Sequence, residues 1–223
     1  MSRNLCCLLF SLLLLCASPV MAEENERDSF YLSLVDASRK DVKEARWCKI
    51  RDLYYNTSFY KTANGSAKKA MGPVAKRLMS ERSSEAVAAY ESFMREHGGS
   101  LAAHMYAIDM YLWNKQNMKA KKESVLPDLG KGIHYIRIMD EEETAKALAT
   151  CAARGGDGKS METAYRVADH DEAEALLQQI SGLHADGTES MDAADKKYEI
   201  LTVNIPDGPT QKVWFTLQTP QVQ

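Results

Sequence analysis

Apolar positions between residues 41 and 154 recur at the spacing of amphipathic helices, and beyond residue 155 they alternate as in strands. Over 41–55, Val42, Ala45, Ile50, Leu53 and Tyr54 fall on one face with Cys48 close by, which predicts a helix. Ser83 or Ser84 can cap a second helix whose Ala86, Val87, Tyr90, Phe93 and Met94 share a face, and Gly98-Gly99 stops it. Ser100 caps a third, with Leu101, His104, Met105, Ile108, Tyr111 and Leu112 in line. The short connection predicts that these two helices form an antiparallel hairpin. Lys119, Lys121 and Lys122 then form a solvated basic face, Pro127 breaks the pattern, and 128–139 reads as helix despite Gly130 and Gly132. Asp140 and Glu143 have capping-box spacing ahead of a face made by Ala145, Leu148, Ala149 and Ala152, which Gly155-Gly156 ends.

The later period is different. Thr163, Tyr165 and Val167 share one side of a short strand. Residues 171–180 read as a helix with Asp171 and Glu174 as the cap pair and Leu176, Leu177 and Ile180 inward. Residues 182–195 read as a polar loop, and 197–205 and 212–219 as strands joined by Pro206-Asp207-Gly208-Pro209. The fold class is therefore α+β: N-terminal antiparallel helical hairpins, repeat-like in character, followed by a small antiparallel βαββ sheet. The helices mix alanine and aromatic positions in a way similar to a tetratricopeptide unit, but the period of about 34 residues does not recur. One domain is expected over 41–219, with a helical half at 41–154 and the βαββ half at 155–219. Residues 23–40 are polar apart from Phe30, Tyr31, Leu32, Leu34 and Val35, and read as a flexible lead-in holding a short helix. Residues 61–73 are small, basic and glycine-bearing, so they read as a surface loop.

The N-terminus narrows the compartment. Arg3, an apolar run from Leu5 to Cys16 and the short residues Val20-Met21-Ala22 read as a signal peptide over 1–22. The run is too short to span a bilayer, and Leu15 before Cys16 argues against a lipoprotein site. Cleavage removes 22 of 223 residues and leaves 201, enough for a sizeable core. It also removes Arg3 from a chain of formal charge −3, so the mature part carries −4. That charge offers no electrostatic basis for binding nucleic acid or an anionic membrane, and no later segment is apolar for the length of a membrane span. Of five cysteines, Cys6, Cys7 and Cys16 leave with the signal. The remaining pair, Cys48 and Cys151, is expected to form a disulfide in an oxidising compartment.

Three stretches together resemble an uncharacterised bacterial domain-of-unknown-function family of exported proteins. They are Lys49-Ile50-Arg51-Asp52-Leu53-Tyr54-Tyr55-Asn56-Thr57-Ser58-Phe59-Tyr60, then Gly156-Asp157-Gly158-Lys159-Ser160 with Thr163-Ala164-Tyr165, and the closing Tyr198 to Val203 with Trp214-Phe215. The resemblance covers roughly residues 40–219, the scale of a domain. It departs at Asp171-Glu172-Ala173-Glu174, where the family pattern has an aromatic after the acidic pair. It implies one helical-then-sheet domain and carries no activity, substrate or cofactor.

No complete catalytic set is legible. Gly158-Lys159-Ser160 lacks the earlier glycine of a phosphate loop, whose place is taken by Ala153, and lacks a preceding strand. A calcium loop would need an acidic ligand where Lys159 stands. His97, His104, His134, His170 and His184 show no metal-ligand spacing, so neither metal nor cofactor is expected. His104 lies on an apolar face and reads as a core or interface residue. His170 between Asp169 and Asp171 could serve as an acid–base cluster for a hydrolase of envelope material. The alternative use is a solvated helix start. Tyr54, Tyr55, Phe59 and Tyr60, with Trp47 nearby, are the best candidates for stacking on a glycan or another envelope protein, against a competing use in core packing. The expectation is a non-catalytic binding or interaction module, periplasmic or secreted, using its helical surface.

Overall fold

The computed structural model describes residues 18–40, 46–81, 83–121, 131–193 and 195–217. Residues 1–17 of the expected signal, 41–45 of the first predicted helix, Lys122, Pro127 and 218–219 lie outside the described residues, as do the side chains of Lys119, Lys121 and His134. The chain runs α1 Ser18–Lys40, α2 Trp47–Tyr54, α3 Ser58–Thr62, α4 Ala67–Glu81, α5 Ser84–Glu96, α6 Leu101–Lys121, α7 Lys131–Ala152, β1 Tyr165–Val167, α8 His170–Ser181, β2 Gly187–Ala193, β3 Lys196–Asn204 and β4 Thr210–Leu217. The fold is α+β, as the change of period predicts. Among the described residues no helix is long and apolar enough to cross a membrane.

Two segments are more regular than their composition suggests. Residues 23–40 belong to α1, because Tyr31 and Val35, one helical turn apart, are fully buried. Residues 67–73 begin α4, not a loop. Ala67, Met71, Ala75 and Leu78 bury one stripe, and that burial outweighs the missing N–H of Pro73 inside the helix. The expected hairpin of 84–96 with 101–112 is not the most extensive helix pairing. The helix pairs that share the most contact are α6 with α7, α4 with α5, and α6 with α8. α5 meets α6 in a cluster shared with α4, where the Tyr90 and Tyr111 rings stand edge to face at 6.3 Å.

The sheet has four strands in the order β1-β4-β3-β2, and it is mixed. β1 runs parallel to β4 with Tyr165 opposite Phe215, while β2, β3 and β4 are antiparallel. The parallel pair follows from chain path, since α8 carries the chain from β1 back across the sheet. β2 occupies the expected polar loop. It is an exposed edge strand, so no face of it needed apolar residues. One buried cluster joins the halves: Tyr31, Ile50, Leu101 and Leu148 from the helices meet Val167, Leu176, Leu201 and Phe215. Ile180, expected inward, is 45% exposed near the end of α8.

The junction between the halves is a closed turn. Asp157 and Gly158 both donate their N–H to the Thr163 carbonyl (2.9 and 2.8 Å), and Trp214 N donates to Gly158 O (2.8 Å). A Cβ on Gly156 would lie 2.6 Å from the Thr163 carbonyl, and Gly158 has φ +68°, so both glycines answer to backbone geometry. Lys159 is exposed and pairs with Asp157 (3.3 Å). These amides are already used, which removes a phosphate cradle. Cys48 and Cys151 form a disulfide that links α2 to α7.

Candidate functional site

The start of α8 is a polar hub. Asp169, His170, Asp171 and Glu172 are consecutive, so their side chains fan around the first turn and reach different elements. Asp169 is the N-cap, one turn-step earlier than the predicted Asp171: its Oδ1 accepts from Glu172 N (2.9 Å) and its Oδ2 from Tyr60 Oη (3.0 Å). Asp171 accepts from Ser66 Oγ at the head of α4. Glu172 receives two hydrogen bonds from Arg51, at 2.6 and 2.9 Å, and a third from Ala168 N (2.8 Å). His170 Nδ1 meets Glu199 Oε1 on β3 (2.6 Å), with Nε2 3.3 Å from Glu174.

This geometry disperses the acid–base set read from sequence. His170 is oriented by Glu199 and Glu174, not by its flanking aspartates, which are committed to α3 and α4. No hydroxyl or thiol nucleophile is hydrogen-bonded to it among the described residues. Asp157, at the junction turn, and Tyr165, packed 5.8 Å from the Phe215 ring, do not share a cavity with His170 among the described residues. No group of His, Cys, Asp and Glu among the described residues could hold a metal ion.

The aromatic set is core. Tyr54 and Tyr55 are buried, and Phe59 and Tyr60 are half-buried against them. Tyr54, Tyr55 and Tyr60 contact one another edge to face at 4.9–5.5 Å. Tyr54 Oη lies 2.6 Å from His97 Nδ1, and Phe93 stacks on the His97 ring at 4.1 Å. These rings pack α2 and α3 against α1 and the α5–α6 turn, with Phe59 and Tyr60 keeping part of their surface exposed.

Two buried groups here titrate in opposite senses. Burial lowers the His97 pKa from 6.5 to about 4. Its contribution is present above pH 6.5 and lost as pH falls towards 4. Burial raises the Asp169 carboxyl from 3.8 to about 6. Its contribution is present below pH 3.8 and lost as pH rises through 6. Each shift is worth roughly 3 kcal/mol, so the two offset each other between pH 4 and 6.5. Relative to wild type, His97→Asn should gain stability as pH falls from 6.5 to 4, and Asp169→Asn, which keeps a capping oxygen, should lose it. Denaturant midpoints across that range check both signs. Parallel curves for all three proteins would sink the assignment.

A different place gathers unused polar groups. A cavity of about 210 Å³ opens between α1, α2, α5, α6 and α7. Trp47, Tyr90, Met94, His104 and Thr144 form its buried wall. Trp47 and Tyr90 are each 3% exposed, and among the described residues Trp47 Nε1 has no hydrogen-bond partner. Burial pushes the Tyr90 phenol well up, with Glu141 and Tyr111 adding to the push. His104 Nε2 donates to the Gly98 carbonyl (2.9 Å), its Nδ1 meets Glu141, and its ring stands edge to face with Trp47 at 6.3 Å. Arg39, Glu91 and Asp140 form the rim. The sequence pattern placed these side chains on separate helices; only His104 on an otherwise apolar face hinted at a polar interior. No family model, curated protein or solved structure matches the chain.

Proposed function

We propose that the chain is an exported, non-catalytic binding module of the bacterial envelope, of the uncharacterised family that its motifs resemble, and that it takes a small ligand in the Trp47–Tyr90 cavity. The observation that carries this reading is the Trp47 indole N–H. It is a donor, buried, without a partner among the described residues and on the wall of a cavity, and an unsatisfied buried donor costs about 1–3 kcal/mol unless something occupies the site. The dispersal of Asp169, His170 and Asp171 weighs against the hydrolase alternative. The apolar N-terminal run and the Cys48–Cys151 bridge support export to an oxidising compartment.

The test is an indole spectrum of protein carrying labelled tryptophan. The chain has three tryptophans, and Trp47→Phe assigns one resonance. Adding the low-molecular-weight fraction of an envelope extract should move the Trp47 indole peak while those of Trp113 and Trp214 stay in place. A Trp47 peak that ignores the extract would remove the reading.

A further inference from the structure

We propose that the cavity ligand is a small N-acyl compound, an N-acetylated amino sugar or amino alcohol, whose carbonyl oxygen accepts from the Trp47 indole; this rests on the binding reading above. The buried wall decides which end of the ligand enters. Trp47 Nε1 can only donate, so it calls for an acceptor. The other ring nitrogens of the wall, those of His104, are already used on the Gly98 carbonyl and on Glu141. A carboxylate held there by the indole alone would be a buried charge with too few donors. A hydroxyl brings a proton of its own, for which His104 offers no acceptor. A carbonyl oxygen only accepts, so it matches a group that only donates. The Met94 side chain and the rings of Trp47 and Tyr90, all buried, take an apolar group beside that carbonyl. An acetyl group meets both demands.

The rim decides the other end. Arg39, Glu91 and Asp140 are exposed. Hydroxyls accept from a guanidinium and donate to a carboxylate, so a hydroxylated end meets this rim whatever its net charge and whichever partners these groups hold. An amide joins the two ends without adding a charge. Size sets the limit. At about 30 Å³ of liquid volume per water, 210 Å³ holds the equivalent of roughly seven waters, one sugar-sized unit at most and not a polymer chain.

Titrations on the Trp47 indole peak, with calorimetry, test the proposal using N-acetylglucosamine and N-acetylethanolamine against glucose and 2-ethoxyethanol, which lack the carbonyl. The acyl compounds should bind and move the indole proton downfield, with the carbonyl-free compounds roughly tenfold weaker. Trp47→Phe keeps a ring and removes the N–H. By calorimetry it should weaken the acyl compounds to the level of the carbonyl-free ones and leave the latter unchanged, with the Trp113 and Trp214 peaks in place to show an intact fold. Carbonyl-free compounds binding as well as acyl ones, or acyl binding without a downfield move of the indole proton, would overturn the acyl assignment. An envelope extract that moves the peak when the acyl compounds do not would overturn it too, while leaving a binding cavity. If neither the acyl compounds nor the extract moves the peak, both readings fall.

Discussion

Arg51→Met should lower the unfolding free energy by about 3–5 kcal/mol, read from guanidinium or urea midpoints. Arg51 and Glu172 are both buried, and they meet as a bidentate pair with Nε to Oε1 at 2.6 Å and Nη2 to Oε2 at 2.9 Å. Burial alone would depress the guanidinium pKa, but the charge and hydrogen bonds of Glu172 more than restore it, so the cation is held firmly. Removing the arginine strands a carboxylate in the core with only the Ala168 amide for support. Glu172→Gln leaves the guanidinium its half-exposed Asp52 partner (3.3 Å), the Arg166 carbonyl (3.0 Å) and the face of Tyr55 (5.7 Å). It should cost somewhat less, about 2–4 kcal/mol.

The double variant Arg51→Met/Glu172→Leu separates the value of the pair from the penalty of breaking it. It should lose less than the sum of the single losses, because no buried charge remains. It should stay below wild type, because Ala168 N and Arg166 O lose their partners. High salt should change little, since the pair is shielded from solvent. Single losses under about 0.5 kcal/mol would show that water reaches the pair and that the hub is not what joins α2 to α8 and β1.

The difference between what was legible and what was not follows from how each feature is encoded. Helices α5, α6 and the second half of α7 were readable because Ala86, Tyr90 and Phe93, Leu101, Met105 and Ile108, and Ala145, Leu148 and Ala152 each line one buried stripe. β3 and β4 were readable as short β-branched and aromatic runs either side of a Pro-Asp-Gly turn, where Asp207 takes φ 59°. β2 was not, because an edge strand exposed on both faces carries no alternation. α4 was hidden behind its lysines and Gly72-Pro73, although Ala67, Met71, Ala75 and Leu78 keep helical spacing. The α8 cap was misplaced because Asp169 and Asp171 both offer cap chemistry, and only the direction of the chain leaving β1 decides between them.

The site shows the same limit more sharply. Arg51 and Glu172 are 121 residues apart, and a single charge on a helical pattern looks like a solvated face until the fold pairs it. The cavity needs Trp47, Tyr90, His104 and Glu141 from four helices, and no local spacing announces that convergence. The aromatic run of α2 and α3 was conspicuous in sequence for the opposite reason: large rings adjacent in the chain are as useful for filling a core as for binding, and here they fill it.

Removing the bridge as Cys48→Ser/Cys151→Ser should cost roughly 4–5 kcal/mol on the chain-entropy model, and not less than about 2. The cystine closes a loop with a sequence separation of 103, so it restricts the unfolded chain strongly. Its folded surroundings are already well joined: Ile50 of α2 and Leu148 and Ala152 of α7 share the main buried cluster. The folded protein should therefore keep its shape without the bond, and the loss should lie mostly in a more open unfolded state. Two readouts follow. Guanidinium unfolding should show a lower midpoint together with a steeper slope, because more surface is exposed on unfolding. The Trp47 indole resonance, one residue from Cys48 and on the cavity wall, should stay in place. A variant with the wild-type midpoint would sink the stabilising role. A displaced Trp47 peak would instead place the bridge's effect in the folded state, where it would hold α2 against α7 and so set the wall of the binding cavity.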